Sequence, residues 1–213
     1  MKLKKNLKAP LLILSIGIAI LGSSLVIGYW YKWTPASFPV DLRPGITRSP
    51  LFSVDLTTDY VIEFEVERNL PFEQLICLLG DKDAIALKKC EATASLVDFR
   101  WRVFSLSGEP VAQGASAQEH GGAASNTFMS RYIGRFQGEA GKEYLVEVEL
   151  LKDASLLMPS HPHINVKAHT TVQKEHYVIS GIGMTIGLMF AIPSLLWLAV
   201  RMFASKTAGS KKR

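Results

Sequence analysis

DYVIEFEVE, from Asp59 to Glu67, alternates apolar and charged side chains with a period of two. Tyr60, Ile62, Phe64 and Val66 fall on one face of an extended chain, and Val61, Glu63, Glu65 and Glu67 on the other. That is the pattern of an antiparallel strand with one buried side. VDFRWRVFS, residues 97–105, repeats it, with Val97, Phe99, Trp101 and Val103 opposed to Asp98, Arg100, Arg102 and Phe104. YLVEVEL, residues 144–150, does so again, with Tyr144, Val146, Val148 and Leu150 inward against Glu147 and Glu149. Shorter candidates are Leu51 to Leu56, Gln74 to Leu79, Val111 to Gln113, Phe128 to Phe136 and Ile164 to His169, set apart by turn-rich pieces at 107–110 and 137–141. About eight strands, the long ones each with one apolar face, predict a mainly β domain. The expected form is an antiparallel β-sandwich, Ig-like or jelly-roll-like, because two sheets face to face bury those faces together. A short helix is predicted near Asp83 to Cys90. Gly114 to Asn126, rich in Gly, Ala and Ser, reads as a mobile loop, and Leu156 to His163 as an ordered irregular one.

Outward from these strands, the chain becomes apolar at both ends. Ala9 to Tyr31 and Tyr177 to Val200 carry no ionisable Asp, Glu, Lys, Arg or His. A hydrocarbon core of about 30 Å needs about 20 such residues in a helix, so each run predicts a membrane span. Tyr29, Trp30, Tyr31 and Trp33 suit the headgroup zone, and no small-x-small cleavage site follows, so the first run reads as an uncleaved anchor. The organisation expected is a basic tail at 1–8, a span at 9–31, a tether at 32–44 and a β domain at 45–170. A second tether at 171–176, a span at 177–200 and a basic tail at 201–213 complete it.

The tails hold Lys2, Lys4, Lys5, Lys8, Arg201, Lys206, Lys211, Lys212 and Arg213, and no acidic residue. Cations flanking spans stay on the cytoplasmic side, which predicts a two-pass protein with both termini cytoplasmic and the middle portion on the far side of the membrane. Nine of the 24 Lys and Arg lie in these tails; the 15 that remain face all 19 acidic residues, so the middle has a formal charge of −4. The net charge of +5 thus belongs to membrane-flanking segments, and no nucleic-acid partner is expected. Uncharged spans also disfavour a transporter.

Cys77 and Cys90 are the only cysteines, and an even pair in an exported domain predicts a disulfide, with free thiols as the alternative. His161-Pro162-His163, with His169 nearby, is the one cluster of metal-ligand types; it matches no zinc spacing, so no metal or cofactor is expected. Glu63, Glu65 and Glu67 read as the solvent face of a sheet, and Arg100 and Arg102 as partners if the two strands are neighbours. No nucleophile elbow, phosphate loop or zinc-protease motif occurs, so no catalytic residue is assigned. Gly183, Gly187 and Ala191, and likewise Ser15, Ala19 and Ser23, recur every fourth residue. They predict smooth stripes that join the two helices or form a homodimer.

Phe38-Pro39-Val40-Asp41-Leu42, Gly45, Ser49-Pro50-Leu51-Phe52 and the 144–150 strand followed by Asp153-Ala154 resemble a bacterial exported β family catalogued as domain of unknown function 5625. The resemblance spans about residues 38–169. It implies a bacterial source, hence an inner-membrane protein with a periplasmic β-sandwich, and no established activity. The function expected is a membrane-anchored module that binds a protein partner, such as an immunity protein or an accessory subunit of an envelope complex. One alternative is an envelope enzyme acting on glycan or lipid, with a loop site at His120, His161 and His163. The other is a passive structural spacer.

Overall fold

The computed structural model describes residues 8–29, 31–80, 90, 95–119 and 121–210, without side chains for 27–29 and 202–210. The chain forms two units: the two ends, Met1–Tyr31 with Thr171–Arg213, and the middle, Lys32–Thr170.

The middle unit is mainly antiparallel β, with ten strands in two sheets among the described residues. The strands are β1 Ala36–Pro39, β2 Gly45–Arg48, β3 Phe52–Ser53, β4 Thr58–Glu67 and β5 Phe99–Ser105. They continue with β6 Pro110–Ala115, β7 Gly122–Ala124, β8 Phe128–Gly138, β9 Glu143–Leu150 and β10 His163–Ala168. One sheet runs β1-β10-β4-β8-β7, and the other β2-β9-β5-β6 with β3 also on β9. The apolar faces expected in β4, β5 and β9 are the inner ones: Tyr60, Ile62, Phe64, Val66, Phe99, Val103, Val146 and Val148 are fully buried. Aromatic pairs stitch the two inner faces together, Phe64 against Phe99 at 5.3 Å and Phe136 against Tyr144 at 5.4 Å. Trp101 reaches across the interlayer space because Gly134 on β8 and Gly114 on β6 offer no side chain there. A Cβ on Gly114 would lie 2.7 Å from the indole, and one on Gly134 would overlap it.

Four sequence expectations need correction. Gln74 to Leu79 lies in a helix, α2 Phe72–Leu79, which buries Leu75, Ile76, Leu78 and Leu79. Pro71 precedes it, and Gly80 closes it at φ 73°, donating its N–H to the Ile76 and Cys77 carbonyls. A short apolar run has no period that separates helix from strand; the flanking Pro and Gly are what decide it. The entry segment 32–44 is not a tether: β1 pairs with β10, and Phe38, Val40 and Leu42 are buried. Gly114 to Asn126 contains the end of β6, a 3-10 turn at Ser116–Gln118 and β7, so its described part is ordered by pairing with β8. Residues 171–176 are helical, inside α3 Thr170–Ser210, and not an extended tether. The helix expected near Asp83 to Cys90 lies outside the described residues except for Cys90.

Cys77 and Cys90 form the expected disulfide, with Cα atoms 5.2 Å apart and a sequence separation of 13. Loop-closure entropy assigns such a bridge about 3 kcal/mol. Reduction, or Cys77→Ser with Cys90→Ser, is expected to lower unfolding stability by that amount, read from urea denaturation of the full-length protein in detergent.

The end unit holds α1 Lys8–Tyr29 and α3, each with a stretch long and apolar enough to cross a membrane, which fits a two-pass membrane protein. Leu12, Ile18, Val178, Met189 and Leu196 stand more than half exposed, a surface suited to lipid and costly in water. Gly183, Gly187 and Ala191 do pack on α1. The Gly187 Cα lies so close that a Cβ there would meet the Gly17 carbonyl at 3.0 Å, and Ser180 donates its hydroxyl to the Ser24 carbonyl at 2.7 Å. On α1, however, the contacting stripe is Gly17, Leu21 and Ser24. Ser15, Ala19 and Ser23 are exposed, and the two hydroxyls bond to Leu12 and Ala19 carbonyls of their own helix.

Candidate functional site

Three polar or mixed clusters in the β unit have the residue types needed for chemistry or recognition.

The first holds the predicted histidines. β10 begins at His163, whose partner across the ladder is Glu65, and the end of β4 carries Glu67. His161 sits just before β10 at φ 46°, a left-handed backbone that is uncommon for a non-glycine residue. Its Nδ1 lies 2.8 Å from Glu67 Oε2, and His163 Nδ1–H donates to the His161 carbonyl at 2.7 Å. Both members of the His161–Glu67 pair are well over half exposed. Beside them Ser160 donates to Asn69 Oδ1 at 2.6 Å, and Asn69 donates to the Pro159 carbonyl. His120 lies outside the described residues. Among the described residues no three His, Cys, Asp or Glu gather to hold a metal ion.

The second lies on the outer face of the β4 sheet. Glu63 is 3% exposed, against the expectation of a solvent-facing strand side. Lys167 of β10 reaches it at 2.6 Å and Glu65 at 3.0 Å, and Ser130 of β8 donates its hydroxyl to the same Glu63 carboxylate. Burial alone pulls the Lys167 ammonium down; the hydrogen bonds and charges of Glu63 and Glu65 outweigh it, so its pKa lies above the ordinary 10.5. A lysine held protonated is no general base, and this cluster orders three strands. Burial, then the Glu63 charge, also raises the Tyr132 phenol, and burial raises Tyr60. All three groups bind their protons more tightly when folded. Their contribution is therefore complete below pH about 10 and falls as pH rises through the raised folded values. Lys167→Met is expected to cost about 2 kcal/mol at neutral pH, because it leaves Glu63 buried with one neutral donor. Adding Glu63→Gln recovers part of that loss, and both variants lose stability less steeply above pH 10 in urea titrations.

The third is the outer face of the β5 sheet. Arg100 and Arg102 do not pair with the β4 glutamates, because β5 and β4 lie in different sheets; their cross-strand neighbours are Glu149 and Glu147 of β9. Glu147 is clamped by Arg102 at 2.6 Å and by Arg48 at 2.8 Å. Next to this clamp Leu51, Phe104, Leu106 and Leu145 surround a hollow of about 270 Å³. Leu106 is 66% exposed and Leu51 48%. A second groove of about 890 Å³, which shares Ser105 and Leu106 with that hollow, is lined by Glu109, Glu139 and Tyr144.

Sequence reasoning missed two features of the β unit. Arg131, on the inner face of β8 with Met129 and Ile133, is 5% exposed and donates to the carbonyls of Leu79, Val97 and Ser116. The alternation of Phe128 to Phe136 carried that signal, a cation on the apolar face. The apolar hollow had none, since Leu51 and Leu106 lie far apart in sequence.

No protein-family model matches the chain, and none of the curated proteins does. Among solved structures it is similar to the crystal structure of GEBA250068378 from Sulfurospirillum deleyianum. The TM-score is 0.49 at 10% identity, over 62% of this chain and 96% of that one.

Proposed function

We propose that this chain is a membrane-anchored extracytoplasmic binding module. Its β-sandwich docks a protein partner, and α1 and α3 hold it at a bacterial inner membrane with both tails cytoplasmic. The observation that carries the reading is the hollow of Leu51, Phe104, Leu106 and Leu145 beside the Arg48–Glu147–Arg102 clamp. Exposed apolar side chains next to pre-ordered charges are the composition of an interface core. The middle charge of −4 favours a partner with a basic surface through steering. An immunity protein or an accessory subunit of an envelope complex meets that description, as does kinship with the exported family of unknown function.

The His161–Glu67 pair favours one rival, an envelope enzyme acting on glycan or lipid, because a carboxylate on Nδ1 is how a base is oriented. A photoreactive side chain at Leu106 in intact membranes separates the two. The module predicts one stoichiometric crosslinked protein, lost on Leu51→Asp while the fold persists. No crosslinked protein, together with loss of phenotype on His161→Ala, favours the enzyme.

A further inference from the structure

α1 and α3 enclose a cleft of about 560 Å³ at the end of the pair that carries Lys8 and Arg201. Its walls are Pro10 and Ile13 of α1 and Met189, Phe190 and Pro193 of α3, with Trp197 and Arg201 at the rim. Met189 is 70% exposed and Phe190 45%, so the cleft opens sideways, away from the helix contact. Pro193 supplies no N–H to the Met189 carbonyl, and its ring forms part of the apolar wall. The rim differs from the walls. Arg201 lies with its guanidinium 4.7 Å from the Trp197 ring centre, so a cation stands at the mouth of a hydrocarbon-lined slot. Lys8 precedes Ala9, another lining residue, which puts a second cation at the same end, and no acidic residue occurs in either tail.

We infer that this cleft is a binding site for one anionic phospholipid, with an acyl chain along Pro193 and its phosphate on Arg201. Charge selects the occupant. Any lipid tail fits an apolar slot, but a guanidinium fixed on an indole and seconded by a lysine favours a headgroup with net negative charge. Trp197 marks the depth at which such headgroups lie. The inference rests on the reading of α1 and α3 as membrane spans.

The test is native mass spectrometry of the full-length protein released from vesicles of equal phosphatidylglycerol and phosphatidylcholine. One retained phosphatidylglycerol per chain is expected, with at least about fivefold preference, one surface cation's worth. Arg201→Gln is expected to remove that preference. Met189→Trp, at an exposed lining position, is expected to lower total retained lipid by filling the slot. Free glycerol phosphate added to the solution is expected to leave the retained lipid unchanged, since a headgroup alone lacks the chain contact. Equal retention of the two lipids, or an unaltered preference in Arg201→Gln, overturns the site while leaving the spans intact. Displacement by glycerol phosphate also overturns it, as the signature of a bare anion site. Release of the protein from vesicles by alkaline carbonate overturns the membrane reading itself.

Discussion

Replacing Arg131 by methionine is expected to cost the protein about 4 kcal/mol of unfolding stability. The guanidinium is buried between the sheets and donates from Nη1 to the Leu79 carbonyl at 2.6 Å and to the Val97 carbonyl at 3.4 Å. Nη2 donates to the Ser116 carbonyl at 2.9 Å. These acceptors belong to three separate pieces of chain: the last turn of α2, the approach to β5, and the 3-10 turn after β6. Buried ion pairs are often replaced by apolar residues without loss, because both charges disappear together. Here the acceptors are backbone carbonyls and stay behind, desolvated. One of them ends a helix, where a cation also meets the favourable end of the dipole. Arg131→Lys is expected to recover less than half, since an ammonium does not span three acceptors as the planar fork does. Urea unfolding of the full-length protein in detergent checks both, with a lowered midpoint and an unchanged slope.

Trp101→Ala is expected to cost about 4 kcal/mol by the same measurement. The indole is 5% exposed and fills the space between the two sheets over Gly114 and Gly134. No nearby side chain replaces it, because both facing positions are glycine, so the cavity persists. The converse substitution, Gly134→Ala, overpacks the same contact, and about 2 kcal/mol is expected for it.

The long strands were legible because each alternates apolar with charged side chains, and Tyr60 to Val66 reads that way without knowledge of any partner. Pairing was not legible. Glu63 faces away from the sandwich core, yet Lys167 and Ser130, from strands far off in sequence, bury it. Phe38, Val40 and Leu42 looked like tether residues since β1 is only four residues long and includes Pro39, too short for alternation to show. On the helices, spacing picked the α3 stripe correctly but chose the wrong face of α1. Smallness marks where a neighbour can approach; it does not say which of two small faces it takes, and the hydroxyls of Ser15 and Ser23 are satisfied within their own helix. The candidate site was partly visible: only Pro162 separates His161 from His163, but the Glu67 partner is 94 residues from His161.

The central claim, a β domain held outside the cytoplasm by two spans, is tested most directly by protease digestion of sealed, right-side-out spheroplasts carrying an epitope at each terminus. The domain between Lys32 and Thr170 is expected to be cut while both epitopes survive until the membrane is dissolved. An intact middle domain with both epitopes removed contradicts it.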